Sequence, residues 1–265
     1  MEKAKIGVAF NCFSATELLP YAIEQIKDFV DVIVCITQER SYQNNNLSGI
    51  NKNILWGLKN KGVIDHLEFF YPNPHNTAKQ NEVSKRNLGK NFLKSYGCTH
   101  FLTMDEDEFY QPLAFKEAID FVITHNFDSS ACQMQTYYKS PEYKVTPPET
   151  YWVPFLYKLD KRRFTLNSTN YPVLADPSRR LVPVSKHFNF SRGDLQMHHM
   201  SYVRKDIRTK LFNSASAKNY GSRLEEIAKH WEQWKPGNKA YLGGSQKRLL
   251  EVEKCENIFG IPEDF

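Results

Sequence analysis

Apolar positions fall in short runs separated by stretches of helical spacing. Residues 5–10 (KIGVAF) form a nearly continuous apolar run of strand length. Residues 17–29 then space Leu18, Ala22, Ile26 and Phe29 at helical intervals, and residues 30–37 (VDVIVCIT) are rich in β-branched side chains. This order predicts a β-α-β unit and hence a parallel sheet. Residues 40–50 are polar and loop-like, 54–61 read as a helix, and 66–71 (HLEFFY) as a third strand. After a break at 72–76, residues 78–96 predict a helix with Val83, Leu88, Phe92 and Leu93 inward, ended by Gly97. Residues 100–104 (HFLTM) predict a short buried strand, 112–125 a helix with Pro112 in its first turn, and 130–138 a strand of mixed polarity.

From 141 to 192 the pattern changes. Prolines recur at 141, 147, 148, 154, 172, 177 and 183, with short β segments such as 153–159 between loops. This predicts a loop-rich, antiparallel lobe covering the ends of the first strands. Residues 196–203 predict one more strand, 205–217 and 223–234 helices, and the tail from 235 a Gly-rich stretch and then a helix. No internal repeat or long linker interrupts the chain, so 1–128 and 129–210 are expected as two halves of one domain and 211–265 as a helical extension.

The composition fits that picture. The 265 residues are 41% hydrophobic and 25% charged, which excludes disorder and suits one large α/β domain. No apolar run approaches the ~20 residues of a membrane span. The N-terminus leads straight into a strand without a secretory apolar region, so a non-exported, cytoplasmic protein is expected. Five scattered cysteines with no CxxC pair argue against a disulfide framework or a zinc ribbon. Charge is uneven: residues 1–132 carry 13 Lys and Arg against 16 Asp and Glu, whereas 133–265 carry 22 against 14. A basic second half suits an anionic partner: a nucleotide, a lipid phosphate or nucleic acid.

The sharpest chemical signal is Asp105-Glu106-Asp107-Glu108, directly after the HFLTM run. Open α/β sheets hold ligands at the carboxyl ends of strands. Asp105 and Asp107 are two apart and point the same way in an extended segment. Such a pair suits a hard divalent cation, Mg²⁺ or Mn²⁺, bridging to a diphosphate leaving group. Arg86 can offer a planar fork to a phosphate or a base edge.

Together, Lys85-Arg86-Asn87-Leu88-Gly89, an amphipathic helix, and HFLTMDEDEFY over 100–110 resemble the nucleotide-sugar-binding half of GT-A glycosyltransferases, close to the family 2 type. The likeness covers residues 5–125, with a weaker echo at 196–212. It implies a GT-A-like, Rossmann-type sheet, mixed but mainly parallel, flanked by helices, with a loop-rich β acceptor lobe and C-terminal helices. Residues 1–128 would bind the nucleotide-sugar, and 129–210 the acceptor. Carried over residue by residue, it implies a DxD site with Asp107 as direct metal ligand and Asp105 nearer the ribose or behind the ion. It implies donor contacts from Ala9, Phe10 and Asn11 at the first strand end and from Gln38 at the second. Gln38 stands where an Asp usually reads uracil.

Met197-His198-His199-Met200-Ser201-Tyr202-Val203-Arg204 is the second constellation. Adjacent histidines on a strand face opposite ways, so one alone can reach a site. The resemblance favours His199 over His198 as a third metal ligand, and two carboxylates plus an imidazole suit Mn²⁺ better than Mg²⁺. Arg204, with Lys205 and Arg208, is expected to hold the departing diphosphate. If the reaction inverts, a carboxylate must take the acceptor proton. Asp176, in a Pro-fixed turn, is preferred to Glu149, and Asp194 is also available.

The expected activity is metal-dependent transfer of a hexose or pentose from a nucleoside diphosphate donor, UDP-sugar first, to a hydroxyl. The acceptor is a glycan, a lipid-linked sugar or a modified base in DNA. The DNA option rests on residues 155–210, which hold 12 basic and 4 acidic side chains. Two rivals stand beside this reading. A nucleotidyltransferase of similar fold would show a Gly-rich loop after the first strand, and Phe10-Asn11-Cys12-Phe13-Ser14 has none. A non-catalytic nucleic-acid- or glycan-binding protein would show no metal-dependent nucleotide-sugar binding.

Overall fold

The computed structural model describes residues 3–167, 169–243 and 248–262. Four parallel strands form its first half: β1 (Ile6–Asn11), β2 (Val32–Thr37), β3 (His66–Phe69) and β4 (His100–Asp105), in the order β3-β2-β1-β4. Strands β1 and β2 are apolar almost throughout because helices cover both faces. Val8 and Phe10 pack toward α1 (Leu19–Ile26) and α4 (Pro112–Thr124), while Ala9 packs with α3 (Ala78–Ser95). A further helix, α2 (Gly49–Asn60), connects β2 to β3.

Helix α3 lies unusually close to the sheet. A Cβ added at Gly89 would sit 2.8 Å from the Ala9 methyl, so only glycine allows this approach. The helix opens with a reciprocal capping box between Thr77 and Gln80 and ends before Gly97, whose φ of +76° is the expected left-handed stop. This close, well-capped helix carries Arg86 to the carboxyl ends of β1 and β4.

The sheet continues as a half of mixed strand direction. Strand β5 (Glu108–Phe109) follows the acidic turn. Then come β6 (Ser129–Tyr138), β7 (Ser140–Thr146), β8 (Trp152–Lys158), β9 (His187–Asn189) and β10 (Gln196–Tyr202). Strand β8 bridges the halves, antiparallel to both β4 and β6. Strand β10 runs parallel to β6 and antiparallel to β5, which sets His199 opposite Glu108. The fold is therefore a mixed α/β sheet flanked by helices, as expected, with parallel strands carrying the acidic turn and a half of mixed direction beside it.

The C-terminal region departs from expectation. Helices α5 (Ile207–Asn213), α6 (Ala217–Tyr220) and α7 (Arg223–Gln233) form, but the tail expected to be helical holds β11 (Ala240–Leu242) and β12 (Arg248–Lys254) instead. Strand β12 pairs with β7 and extends the sheet. Sheet pairing overrides the helical look of its Leu, Glu and Lys residues. Trp231, Trp234 and Tyr241 form a second core with Tyr138 and Tyr202. Among the described residues no helix is long and apolar enough to cross a membrane, and all five cysteines are free thiols.

Candidate active site

The strand order reverses between β1 and β4, and there a crevice forms at their carboxyl ends. Asn11 ends β1 opposite Asp105 and donates to Thr103 Oγ1 at 3.0 Å. The four carboxylates of the acidic turn each do something different. Glu106 is buried and accepts from the Phe13 amide (3.0 Å), the Ala15 amide and Thr16 Oγ1 (3.0 Å), which pins the loop after β1. Burial raises its pKa against the pull of those amides. It is a structural anchor.

Asp105 and Glu108 share a partner that sequence spacing did not suggest. Arg179, in the short 3-10 turn Pro177–Arg179, donates to Asp105 Oδ2 at 2.6 Å and to both oxygens of Glu108. Arg86 holds Asp105 from the other side, 3.1 Å from Oδ1, and also meets Glu82 and Thr103. Burial would push Asp105 up, but Arg179 and Arg86 hold it well below the usual carboxylate range. For Glu108 burial prevails over Arg179 and raises it to about 7. Glu108 also accepts from the Asp105 amide at 3.1 Å, which tightens the turn.

Asp107 faces β10. Its Oδ1 lies 3.7 Å from His199 Nε2, and its Oδ2 meets Arg204, whose guanidinium also donates to the Ser14 carbonyl at 3.0 Å. Burial would raise Asp107, but Arg204 and then His199 bring it below its ordinary value. Burial lowers His199 to about 4, so its ring is neutral at physiological pH with a lone pair available. His198 faces the other way. Its Nδ1 lies 2.9 Å from the Tyr137 hydroxyl and its ring packs edge-on to Phe259, so it is a core residue. Strand alternation thus turns His199, and not His198, to the cavity.

Asn11, Asp105, Glu106, Asp107, His199 and the two arginines Arg86 and Arg204 line a cavity of about 430 Å³. Of the expected donor contacts, Asn11, Gln38, Arg86, Asp105 and Arg204 reach its wall. Gln38 is 2% exposed, and among the described residues its Oε1 accepts no hydrogen bond. Ala9 and Phe10 do not reach the cavity. Both are buried in the core, Ala9 under Gly89 and Phe10 with the α1 cluster, because strand alternation turns them into the helix layers. Both candidate bases line the cavity. Asp176 is bound to Lys79 Nζ at 2.9 Å and caps Ser178 N at 2.8 Å. Burial would raise it, yet Lys79 outweighs burial and holds it at about 2. Glu149 is partly exposed, and its backbone carbonyl is anchored by Arg192. Asp194 is exposed and bonded to Ser191, away from the cavity.

The far wall comes from the C-terminal region and escaped sequence reading altogether. Lys210, Ser214, Tyr220 and Gly243 all line the cavity. Lys205 is exposed, and Arg208 pairs outward with Glu225 and Glu232, so neither is placed to hold a diphosphate. Among the described residues no three His, Cys, Asp or Glu side chains gather as a metal-holding group. The expected triad reduces to Asp107 and His199, because both oxygens of Asp105 are taken by arginines. The pair still fits Mg²⁺ or Mn²⁺, which keep water ligands and are commonly held by one or two protein groups plus substrate phosphates.

No family model and no curated protein matches the chain. Solved structures resemble it in shape at low identity. Staphylococcus aureus TarS residues 1–349 match with a TM-score of 0.46 and 13% identity over 86% of this chain and 72% of that one. The same fragment crystallised with UDP-GlcNAc gives 0.45 and 14%, over 86% and 73%. This chain spans 45% of the longer TarS chain. Mannose-1-phosphate geranyltransferase from Thermus thermophilus gives 0.33 and 10%, over 86% and 65%.

Proposed function

We propose that this chain is a glycosyltransferase that moves a sugar from a nucleoside diphosphate donor, most simply a UDP-sugar, to a hydroxyl acceptor. The observation that carries the reading is the meeting of Asp107, in the turn after β4, and His199 of β10, 3.7 Å apart, in a cavity at the β1/β4 crevice. Asp107 and His199 would hold Mn²⁺ or Mg²⁺, which when bound supplies positive charge to the diphosphate. Asn11 and the orphaned acceptor of Gln38 face the nucleoside. Arg86 and Arg179 hold Asp105 in place at the cavity wall, away from the role of metal ligand.

For an inverting reaction Glu149 or Asp176, both at the cavity wall, would take the acceptor proton; Asp176 is bound by Lys79 and held at about 2. A glycan or lipid-linked hydroxyl is favoured over DNA as acceptor. Of the twelve basic side chains in 155–210, Arg162, Arg179, Arg180, Arg192 and Arg204 bond to protein oxygens, so less than the whole charge excess is left for a polyanion.

Thermal shift with UDP, GDP and CDP, with and without Mn²⁺, tests the reading. Metal-dependent stabilisation by one nucleotide is expected, absent in Asp107→Ala and His199→Ala and retained in His198→Phe. Hydrolysis of a nucleotide-sugar panel then identifies the donor. Stabilisation by oligonucleotides alone, or equal behaviour of the His198 and His199 variants, would overturn it.

A further inference from the structure

The cavity is lined by five cationic side chains: Lys79, Lys85, Arg86, Arg204 and Lys210. Three have carboxylate partners. Lys79 pairs with Glu82 and Asp176, Arg86 with Asp105 and Glu82, and Arg204 with Asp107. Lys85 reaches across the crevice to donate to the Cys12 carbonyl at 2.8 Å. Lys210 differs from all of these. Its Nζ donates to the Ser201 hydroxyl and lies 4.5 Å from the centre of the Tyr202 ring, and among the described residues it forms no ion pair. An ammonium group taken from water without a counter-ion is costly to the folded state. Burial lowers Lys210 to about 7; the like charge of Arg204 adds to this, while Asp107, Glu149 and Asp105 favour the charged form without pairing with it directly.

From this geometry we infer that Lys210 is a ligand for the diphosphate of the donor, in the cavity that Lys85 also lines. The inference rests on the glycosyl-transfer reading and adds a residue to it. In the transfer step the bond between the anomeric carbon and the diphosphate oxygen breaks, and its electron pair stays on that oxygen. The acceptor oxygen bonds to the anomeric carbon and its proton passes to a carboxylate. Charge on the diphosphate therefore grows as the bond breaks, and a fixed cation beside it stabilises that change. Ser201, two residues from His199 on β10, orients the ammonium, and α5 supplies its stem, so the charge is held rather than free to wander.

Comparison of Lys210→Met and Lys210→Arg with the wild type tests this, using inorganic pyrophosphate, UDP and uridine as probes by calorimetry. The Met variant should bind pyrophosphate and UDP at least about tenfold more weakly, the loss expected for one charge-assisted contact, while the Arg variant retains most of the affinity. Uridine binding should not change. A structural lysine would lower the melting temperature when replaced. Lys210→Met should leave it unchanged or raise it, because a functional cation without a counter-ion costs stability. Equal pyrophosphate affinity in wild type and Lys210→Met overturns the inference while leaving sugar transfer intact. Lys210-dependent pyrophosphate binding with no turnover of any nucleotide-sugar upholds the anion site and instead sinks the transferase reading.

Discussion

Replacing Arg179 by Met separates a structural from a catalytic account of the acidic turn. The guanidinium meets both oxygens of Glu108, whose side chain is 3% exposed, and one oxygen of Asp105, whose side chain is 34% exposed. Removing one partner of a buried pair costs about 3–5 kcal/mol, and the Glu108 arm falls in that class. The Asp105 arm is wetter and keeps Arg86, so it adds at most about 1 kcal/mol. The sign of the pH effect follows from Glu108. Its folded pKa is raised to about 7, and loss of Arg179 raises it further. A raised carboxyl favours the fold at low pH and loses that advantage as pH rises. The gap between wild type and variant should therefore widen from pH 6 to pH 8. Urea unfolding followed by tryptophan fluorescence reads this directly. With a slope of about 2 kcal/mol per molar urea, the midpoint at pH 8 should fall by roughly 1.5–3 M. Adding Glu108→Gln to Arg179→Met should recover most of the loss. A midpoint change under about 0.5 M at pH 8, or one equal at both pH values, refutes the reasoning.

Two further outcomes follow from packing and burial. Gly89→Ala forces a methyl to within 2.8 Å of Ala9, so an overpacking loss of about 1–3 kcal/mol is expected in denaturant titration, with reduced nucleotide binding as α3 and Arg86 shift. His198 is lowered by burial from 6.5 to about 4. Its contribution to stability is present above the unfolded value and is lost as pH falls through about 6.5 to 4, and His198→Phe should flatten that part of the stability–pH curve.

The parts legible in the sequence are those governed by local spacing. Residues 6–11 and 32–37 could be read as buried strands because both of their faces are covered. Gly97 and Pro112 mark helix ends for steric reasons that act within a few residues. The acidic turn was visible because four adjacent carboxylates need an explanation wherever they lie, and alternation along β10 made one of the two histidines the site residue. The counter-charges were not legible. Arg179 lies 74 residues from Asp105, and Lys210 comes from a helix whose own pattern says nothing about the cavity it borders. Phe10 misled because the end of an apolar strand resembles a ligand platform until its partner helices are known. The tail misled for the complementary reason: residues 248–254 have helix-forming composition, and only an available edge at β7 makes them a strand.

The pairing of β12 with β7 has a consequence for synthesis. The parallel strands emerge from the ribosome early and find their neighbours within the first 105 residues. Strands β6 and β7 must wait for β10 and β12, which lie about 60 and 100 residues further on. A nascent chain stalled in between presents bare β edges, and such edges recruit other chains. Ribosomal pausing or premature stops within that interval should yield insoluble product rather than a weakened but folded protein.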